Sequence, residues 1–172
     1  GLPAPHAYGV LIQAEGLSET WQELQAEADA IFAGMLMDRV QPMPGILTLL
    51  DWLDELSLPR CIATSSRLAF AEQALSIAGV RSRIDFILTA EHVKQGKPAP
   101  DIYLESASRM NVAPVQMLVL EDSSIGTRAG VSAGAHVISV PSRHTLGSDF
   151  TGAKCVLDRV DNLAIKQLLF RG

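Results

Sequence analysis

The segment MLVLEDSSIG, residues 117–126, ends an apolar run with two adjacent carboxylates, Glu121 and Asp122. Two buried like charges cannot both stay ionised without a counter-charge, because repulsion and desolvation raise at least one pKa. A divalent cation supplies that charge, and Mg²⁺ commonly takes one or two carboxylates together with water and substrate phosphate. The pair therefore predicts a Mg²⁺ site, with an exposed strand end and helix cap as the alternative.

Hydroxyl side chains follow a second apolar run. In CIATSSR, residues 61–67, Thr64, Ser65 and Ser66 come after the run and are expected to open a helix. Hydroxyls and free backbone N–H groups at the start of a helix suit an anionic oxygen. The alternative is an ordinary N-cap, because serine and threonine are favoured there.

A lysine in a proline-rich loop is the third candidate. In GKPAPDIY, residues 96–103, Pro98 and Pro100 stiffen the chain that follows Lys97. A lysine held on a restrained backbone can act as a fixed positive charge toward phosphate. The alternative is a solvated surface lysine.

The elements that would position these residues alternate along the chain. Short apolar runs predict strands over residues 60–64, 86–89, 117–121, 136–140 and 154–157. Amphipathic periodicity predicts helices over residues 6–15, 18–39, 45–57, 67–79, 100–111 and 124–133, and a last helix from Asp161. Continuous apolar strands between helices predict an α/β fold with a doubly wound, Rossmann-like parallel sheet. Ligands bind such sheets at the carboxyl ends of the strands, where all three segments lie.

Proline and glycine mark two further features. QPMPG, residues 41–45, breaks the helical periodicity and predicts a domain boundary. Gly126, Gly130 and Gly134 recur every four residues, and this spacing predicts a helix face without side chains that packs closely on the sheet.

Composition excludes several classes of partner. The 172 residues carry a net charge of −5 without any run of lysine or arginine, so neither nucleic acid nor an anionic membrane is expected to bind. No apolar stretch approaches the ~20 residues that span a bilayer. Cys61 and Cys155 form no CxxC pair, which favours buried thiols in a reducing cytoplasm.

Taken in order, CIATSS, GKPAPDIY and VLEDSSIGTRAGVSAG resemble the haloacid dehalogenase superfamily, in its phosphatase and β-phosphoglucomutase-like branch with a helical cap. The resemblance spans residues 45–158. It implies that residues 1–41 are part of a helical cap joined to an α/β core over residues 42–172. It also implies a Mg²⁺-dependent phosphohydrolase that acts on a small phosphorylated metabolite.

The resemblance assigns a role to each candidate residue. Thr64 and Ser65 would hold the transferring phosphoryl group, and Lys97 would neutralise the phosphate and the nucleophile. Asp122 and Glu121 would hold Mg²⁺. These are the electrostatic parts of phosphoryl transfer, in which positioning and charge stabilisation supply most of the rate.

One element of the family is absent from this sequence. Family members begin with an apolar strand ending in D-x-D, whose first aspartate attacks phosphorus to form an aspartyl-phosphate. Here Asp51 and Asp54 are three residues apart, as are Asp158 and Asp161, so neither pair fits. We therefore expect a truncated chain that lacks its N-terminal portion and is inactive alone.

The absent strand has a structural consequence. In the family it lies between the strand that ends at Thr64 and the strand that ends at Asp122, so its absence would leave two unpaired strand edges. A missing N-terminal segment, a strand swapped from another chain or a rearranged sheet would fill the place.

Two other functions stay open at this point. A β-phosphoglucomutase-like phosphosugar mutase would use the same core residues. An inactive truncated homologue would keep the fold as an interaction module. A dehalogenase is disfavoured, because metal ligands such as Glu121 and Asp122 have no task in that reaction.

Overall fold

The structure is a computed structural model that describes residues 4–37 and 40–170. The chain divides into two compact units, Gly1–Val40 and Gln41–Gly172. The division falls beside the predicted boundary segment at residues 41–45. That the first unit is a cap for the second stays a prediction.

The first unit contains two helices that pack against each other, α1 (Ala4–Glu15) and α2 (Trp21–Met37). Gly16 ends α1 with a φ of 64°, a left-handed conformation that glycine adopts without penalty. Thr20 caps α2, because its Oγ1 accepts a 3.3 Å bond from the Glu23 N–H, and its own N–H donates to the Glu23 carboxylate at 2.8 Å. The predicted range of 18–39, with Ser18 as the N-cap, therefore placed the cap two residues too early, and predicted residues 38 and 39 lie outside the described residues.

The second unit alternates helices and strands as predicted. Its elements are α3 (Ile46–Glu55), β1 (Cys61–Ala63), α4 (Leu68–Ile77), β2 (Phe86–Leu88), α5 (Asp101–Arg109), β3 (Leu118–Glu121), α6 (Ser124–Ser132), β4 (His136–Ser139), β5 (Cys155–Val156) and α7 (Leu163–Phe170). Each strand and helix was expected from the sequence, although each begins later or ends earlier than predicted.

All strand pairs are parallel, which confirms the predicted α/β class. β1 pairs with β2, with Cys61 opposite Phe86. β3 pairs with β4, and β4 with β5, with Leu118 opposite His136 and Ile138 opposite Cys155. The described strands therefore form two sheets, β1-β2 and β3-β4-β5, and β1 and β3 are edge strands. The family resemblance places the absent strand between these two edge strands, β1 and β3.

Helices on both faces join the two sheets. α3 contributes to two apolar clusters, because Leu50 packs with residues of β2 and α4, whereas Leu49 packs with residues of β4 and α7. On the opposite face, α5 packs in a cluster that includes Leu88 of β2 and Val119 of β3. The sheets are held in one unit by side-chain packing although no backbone hydrogen bond joins them among the described strands.

The predicted close approach of the glycine face after β3 is confirmed at Gly126 and Gly130 and is wrong at Gly134. A Cβ at Gly126 would overlap the side chain of Glu121, the last residue of β3. A Cβ at Gly130 would lie 2.8 Å from Val137 Cγ2, so the helix does approach the sheet closely there. Gly134 lies beyond the end of α6 with a φ of 81°, and no atom lies within 4 Å of where its Cβ would be. Gly134 is therefore needed for the turn after the helix rather than for packing.

Cys61 and Cys155 are both free and half-buried, and burial raises the pKa of the Cys61 thiol. Over residues 4–37 and 40–170, no helix is both long and apolar enough to cross a membrane.

Candidate active site

Lys97 joins the carboxyl ends of β1 and β3. Its ammonium donates to the Ala63 carbonyl oxygen at 2.9 Å and forms a short ion pair with Glu121 Oε1. Ala63 ends β1 and Glu121 ends β3. The lysine, the Glu121 carboxylate and the chain just before Thr64 therefore meet at one edge, as the strand ends predicted.

The loop before α5 holds Lys97 through its own hydrogen bonds. The Ala99 N–H donates to the Gly96 carbonyl at 3.1 Å, and the Gln95 N–H donates to Asp101 Oδ1 at 3.2 Å. The Lys97 side chain is only 7% exposed. The alternative of a solvated surface lysine is therefore wrong.

Both oxygens of the Glu121 carboxylate accept hydrogen bonds from protein donors. Oε1 accepts from Lys97 and from the Tyr103 hydroxyl, and Oε2 accepts from Ser123 Oγ at 3.0 Å. The Glu121 side chain is 7% exposed. A Cβ at Gly126 would overlap this carboxylate, so the glycine at the start of α6 makes room for it. In this arrangement the counter-charge of Glu121 is the ammonium of Lys97 in the same chain.

Tyr103 is a site residue that sequence reasoning missed. Burial, together with the neighbouring Glu121 carboxylate, raises the pKa of Tyr103 well above its ordinary value, so its hydroxyl stays protonated and donates. Its ring centroid lies 5.0 Å from Lys97 Nζ, within the range of a cation–π contact. The signal was present in GKPAPDIY, since Tyr103 is the aromatic residue with a polar tip on the buried face of α5.

Thr64 and Ser65 lie in the turn between β1 and α4. The Thr64 N–H donates to the Leu88 carbonyl at 2.9 Å, and its Oγ1 accepts from the Ser66 N–H at 3.0 Å. Thr64 is half-buried and Ser65 is exposed. The helix begins at Leu68, with Arg67 at the N-cap, so the prediction that these hydroxyls open the helix was wrong. Neither is a helix cap, and the N-cap alternative fails with it.

Asp122 differs sharply from its neighbour. It is exposed and makes no hydrogen bond or ion pair with the described residues. Ser123 caps α6 instead, because its Oγ accepts from the Gly126 N–H at 3.2 Å. The Asp122 carboxylate is therefore available to a ligand at the edge of the sheet.

The donors fit Mg²⁺ in part. Asp122 is an unengaged carboxylate of the kind that Mg²⁺ takes, whereas Glu121 already accepts from Lys97, Tyr103 and Ser123, which leaves one of its about four lone-pair positions for a metal. Across the described residues, no group of three or more histidine, cysteine, aspartate or glutamate side chains could hold a metal ion. The assignment of Asp122 and Glu121 as metal ligands stays a prediction.

The fold is that of a Rossmann-like α/β core with parallel strands. The chain belongs to the haloacid dehalogenase-like hydrolase family, whose profile matches residues 2–140. This confirms the resemblance seen in the three motifs.

Two relatives of this chain are named as phosphatases. The chain is 37% identical over 117 residues to fructose-1-phosphate phosphatase YqaB of Escherichia coli, a match that covers 68% of this chain and 61% of the relative. It is 40% identical over 101 residues to hexitol phosphatase A of the same organism, covering 59% of this chain and 46% of the relative. The chain thus spans about half to three fifths of the length of these two relatives.

Solved structures share the fold. CbbY from Rhodobacter sphaeroides in complex with phosphate superposes with a TM-score of 0.79 at 26% identity, over 86% of this chain and 67% of that one. A putative β-phosphoglucomutase from Thermotoga maritima superposes with a TM-score of 0.75 at 22% identity, over 99% of this chain and 78% of that one. The second likeness concerns the fold alone.

Proposed function

We propose that this chain is the core of a Mg²⁺-dependent phosphohydrolase that acts on a small phosphorylated metabolite. The observation that carries the proposal is the buried ammonium of Lys97, fixed between the ends of two parallel strands. An ammonium has three N–H donors, and two of them are used by Ala63 and Glu121. The third remains for a phosphoryl oxygen. The phosphatase names of two relatives support the same reaction class.

The remaining side chains complete an anion site. The Thr64 hydroxyl and the exposed turn at Ser65 lie directly after Ala63, whose carbonyl binds Lys97. In the proposed complex they hold the phosphoryl oxygens, while Lys97 balances the charge on the phosphate. Asp122 would hold Mg²⁺, which when bound neutralises charge on the phosphoryl oxygens. Glu121 takes part chiefly by holding Lys97.

The nucleophile of the proposed reaction is a carboxylate outside residues 1–172. We place it on a parallel strand between β1 and β3, which are edge strands in the described sheets. Its oxygen bonds to phosphorus as the ester O–P bond breaks and the alcohol leaves with a proton donated by the second aspartate of the D-x-D segment, and water then releases phosphate from the aspartyl-phosphate. The strand comes from an N-terminal segment of the same protein or from a swapped neighbour, and residues 1–172 alone would be inactive.

Phosphatase action is favoured over the mutase alternative, because the two relatives named above carry phosphatase names and the mutase neighbour shares only the fold. The interaction-module alternative gives no reason to bury a lysine at this edge. Incubation with a sugar phosphate distinguishes the reactions, since the phosphohydrolase releases free phosphate and the mutase yields an isomeric phosphate. Intact mass with N-terminal sequencing shows whether an upstream D-x-D segment accompanies these residues.

Lys97→Ala tests the central observation. Loss of a fixed electrostatic donor is expected to lower kcat by about 10²–10³-fold. Lys94→Ala is the matched control, because Lys94 lies exposed in the same loop and should leave kcat unchanged. Equal rates for the two variants would refute the assigned role of Lys97.

Asp122→Ala tests the metal. We expect it to raise the Mg²⁺ concentration needed for half-maximal activity by at least about tenfold, because it removes a direct ligand. Asp158→Ala removes an exposed carboxylate elsewhere and is the control. Full activity of Asp122→Ala at limiting Mg²⁺ would contradict the proposal.

A further inference from the structure

Tyr103 brings a hydroxyl into the buried contact between Lys97 and Glu121. It lies on the buried face of α5 with Ile102, Ser106 and Ala107, and is 5% exposed. Ser106 satisfies its own hydroxyl within the helix, by donating to the Ile102 carbonyl at 2.8 Å. The Tyr103 hydroxyl instead leaves the helix and donates to Glu121 Oε1.

Lys97 and Tyr103 share a single oxygen. Both donate to Glu121 Oε1, while Ser123 binds Oε2. Two donors on Oε1 and one on Oε2 fix the rotation of the carboxylate. This rotation sets the position of Oε1 and therefore the position of the ammonium that it binds. The Tyr103 ring adds a second restraint, since its centroid lies 5.0 Å from Lys97 Nζ.

We infer that the Tyr103 hydroxyl is a positioning group, which orients the Glu121 carboxylate so that the third N–H of Lys97 points toward a bound phosphate. This inference rests on the proposed phosphohydrolase function. It assigns to Tyr103 no contact with substrate. Without the hydroxyl, the buried carboxylate would have one donor fewer, and the lysine would lose its fixed direction.

Tyr103→Phe in the complete protein is the direct test, with inorganic phosphate as the probe. The variant keeps the ring and its packing and removes only the donor. Since a hydrogen bond to a charged group is lost, we expect phosphate affinity and kcat each to fall about tenfold. The affinity for Mg²⁺, measured by calorimetry without phosphate, should stay within about twofold, because Asp122 is unaffected.

Ser106→Ala is the matched control. It removes another buried hydroxyl of α5 that makes no hydrogen bond to Lys97 or Glu121. It should leave phosphate affinity within about twofold of the starting protein, even if the melting temperature falls because an ordinary hydrogen bond is lost.

The double variant Lys97→Ala/Tyr103→Phe separates positioning from general stability. If Tyr103 acts through Lys97, the double variant should bind phosphate as weakly as Lys97→Ala alone. A further tenfold loss in the double variant would overturn the inference. So would unchanged phosphate binding by Tyr103→Phe beside a severe loss in Lys97→Ala, and that outcome would leave the proposed function standing. Normal phosphate binding by Lys97→Ala itself would refute both.

Discussion

Replacement of Gly126 by alanine is expected to disable the site from a position that contacts neither phosphate nor metal. Gly126 lies in the first turn of α6, and a Cβ there would overlap the Glu121 carboxylate. The obstruction is a buried charged group held by three donors, so it cannot move without losing bonds. The variant should push Glu121 away from Lys97.

The magnitude follows from two opposing effects. Alanine gains about 0.5–1 kcal/mol over glycine in a helix. Breaking a buried ion pair costs about 3–5 kcal/mol, because it leaves a charge without its partner. The expected net loss of stability is about 2–4 kcal/mol, equivalent to a melting temperature lowered by about 5–15 °C for a chain of this size.

Gly130→Ala is the control, because it lies one turn further along the same helix. Its new methyl would meet a Val137 methyl at 2.8 Å, an apolar overlap that leaves the ion pair intact. Overpacking of about 1–3 kcal/mol, less the same gain in helix propensity, predicts a net loss of about 0–2 kcal/mol. Phosphate affinity should be unchanged in Gly130→Ala and at least about tenfold weaker in Gly126→Ala.

Urea unfolding and phosphate calorimetry on the complete protein measure both effects. A Gly126→Ala variant as stable as the starting protein, with normal phosphate affinity, would show that Glu121 is not fixed where the structure places it. If Gly126→Ala were destabilised only to the same degree as Gly130→Ala, again with normal phosphate affinity, the position of the Glu121 carboxylate would not determine the orientation of Lys97. Either result would refute the reasoning.

Two further predictions concern stability. Gly45 has a φ of 91°, and a Cβ there would lie 2.5 Å from the Asp161 side chain. Gly45→Ala should therefore lower the free energy of unfolding by at least about 1–2 kcal/mol. Gly96→Ala is the control for a loop glycine, because a Cβ at Gly96 would meet open space. Because the pKa of Tyr103 is raised in the folded state, stability is expected to fall as pH rises above about 10, where the unfolded chain loses the phenolic proton and the folded chain keeps it. Tyr103→Phe should flatten the fall between pH 9 and 11 in urea unfolding at constant ionic strength; an equally steep fall in the variant would contradict the assignment.

The fold was predictable because it depends on hydrophobic periodicity and turn residues. Apolar runs such as the one ending at Leu88 mark buried parallel strands, and Gly16 marks the end of a helix. Boundaries were less predictable. Ser18 and Thr20 both suit an N-cap, and only Glu23, which lies three residues after Thr20, completes the reciprocal bonds that select it.

The site was predictable as a location but not as a network. The rule that ligands bind at the carboxyl ends of parallel strands brought Lys97 and Glu121 to one edge. Which side chain bonds which depends on packing between elements far apart in sequence. Tyr103 reaches Glu121 across 18 positions, and Lys97 reaches Ala63 across 34. No local pattern in the sequence encodes those distances.

The alternation of a β-strand explains why two adjacent acids do different things. Successive side chains of a strand point to opposite faces, so residues next to each other in sequence meet different surroundings. Glu121, the last residue of β3, lies buried with Lys97 and Tyr103, whereas Asp122 comes after the strand and is exposed. The need of two adjacent carboxylates for a counter-charge was the reason to expect a metal ion between Glu121 and Asp122. The structure shows a different solution for Glu121, because the chain supplies its counter-charge from Lys97, and this leaves Asp122 as the carboxylate that can meet a metal.

Under this division, Glu121→Gln should impair phosphate binding more than Mg²⁺ binding, and Asp122→Asn should do the reverse. Loss of Mg²⁺ affinity in Glu121→Gln as large as in Asp122→Asn would contradict this division and show that Glu121 is also a metal ligand.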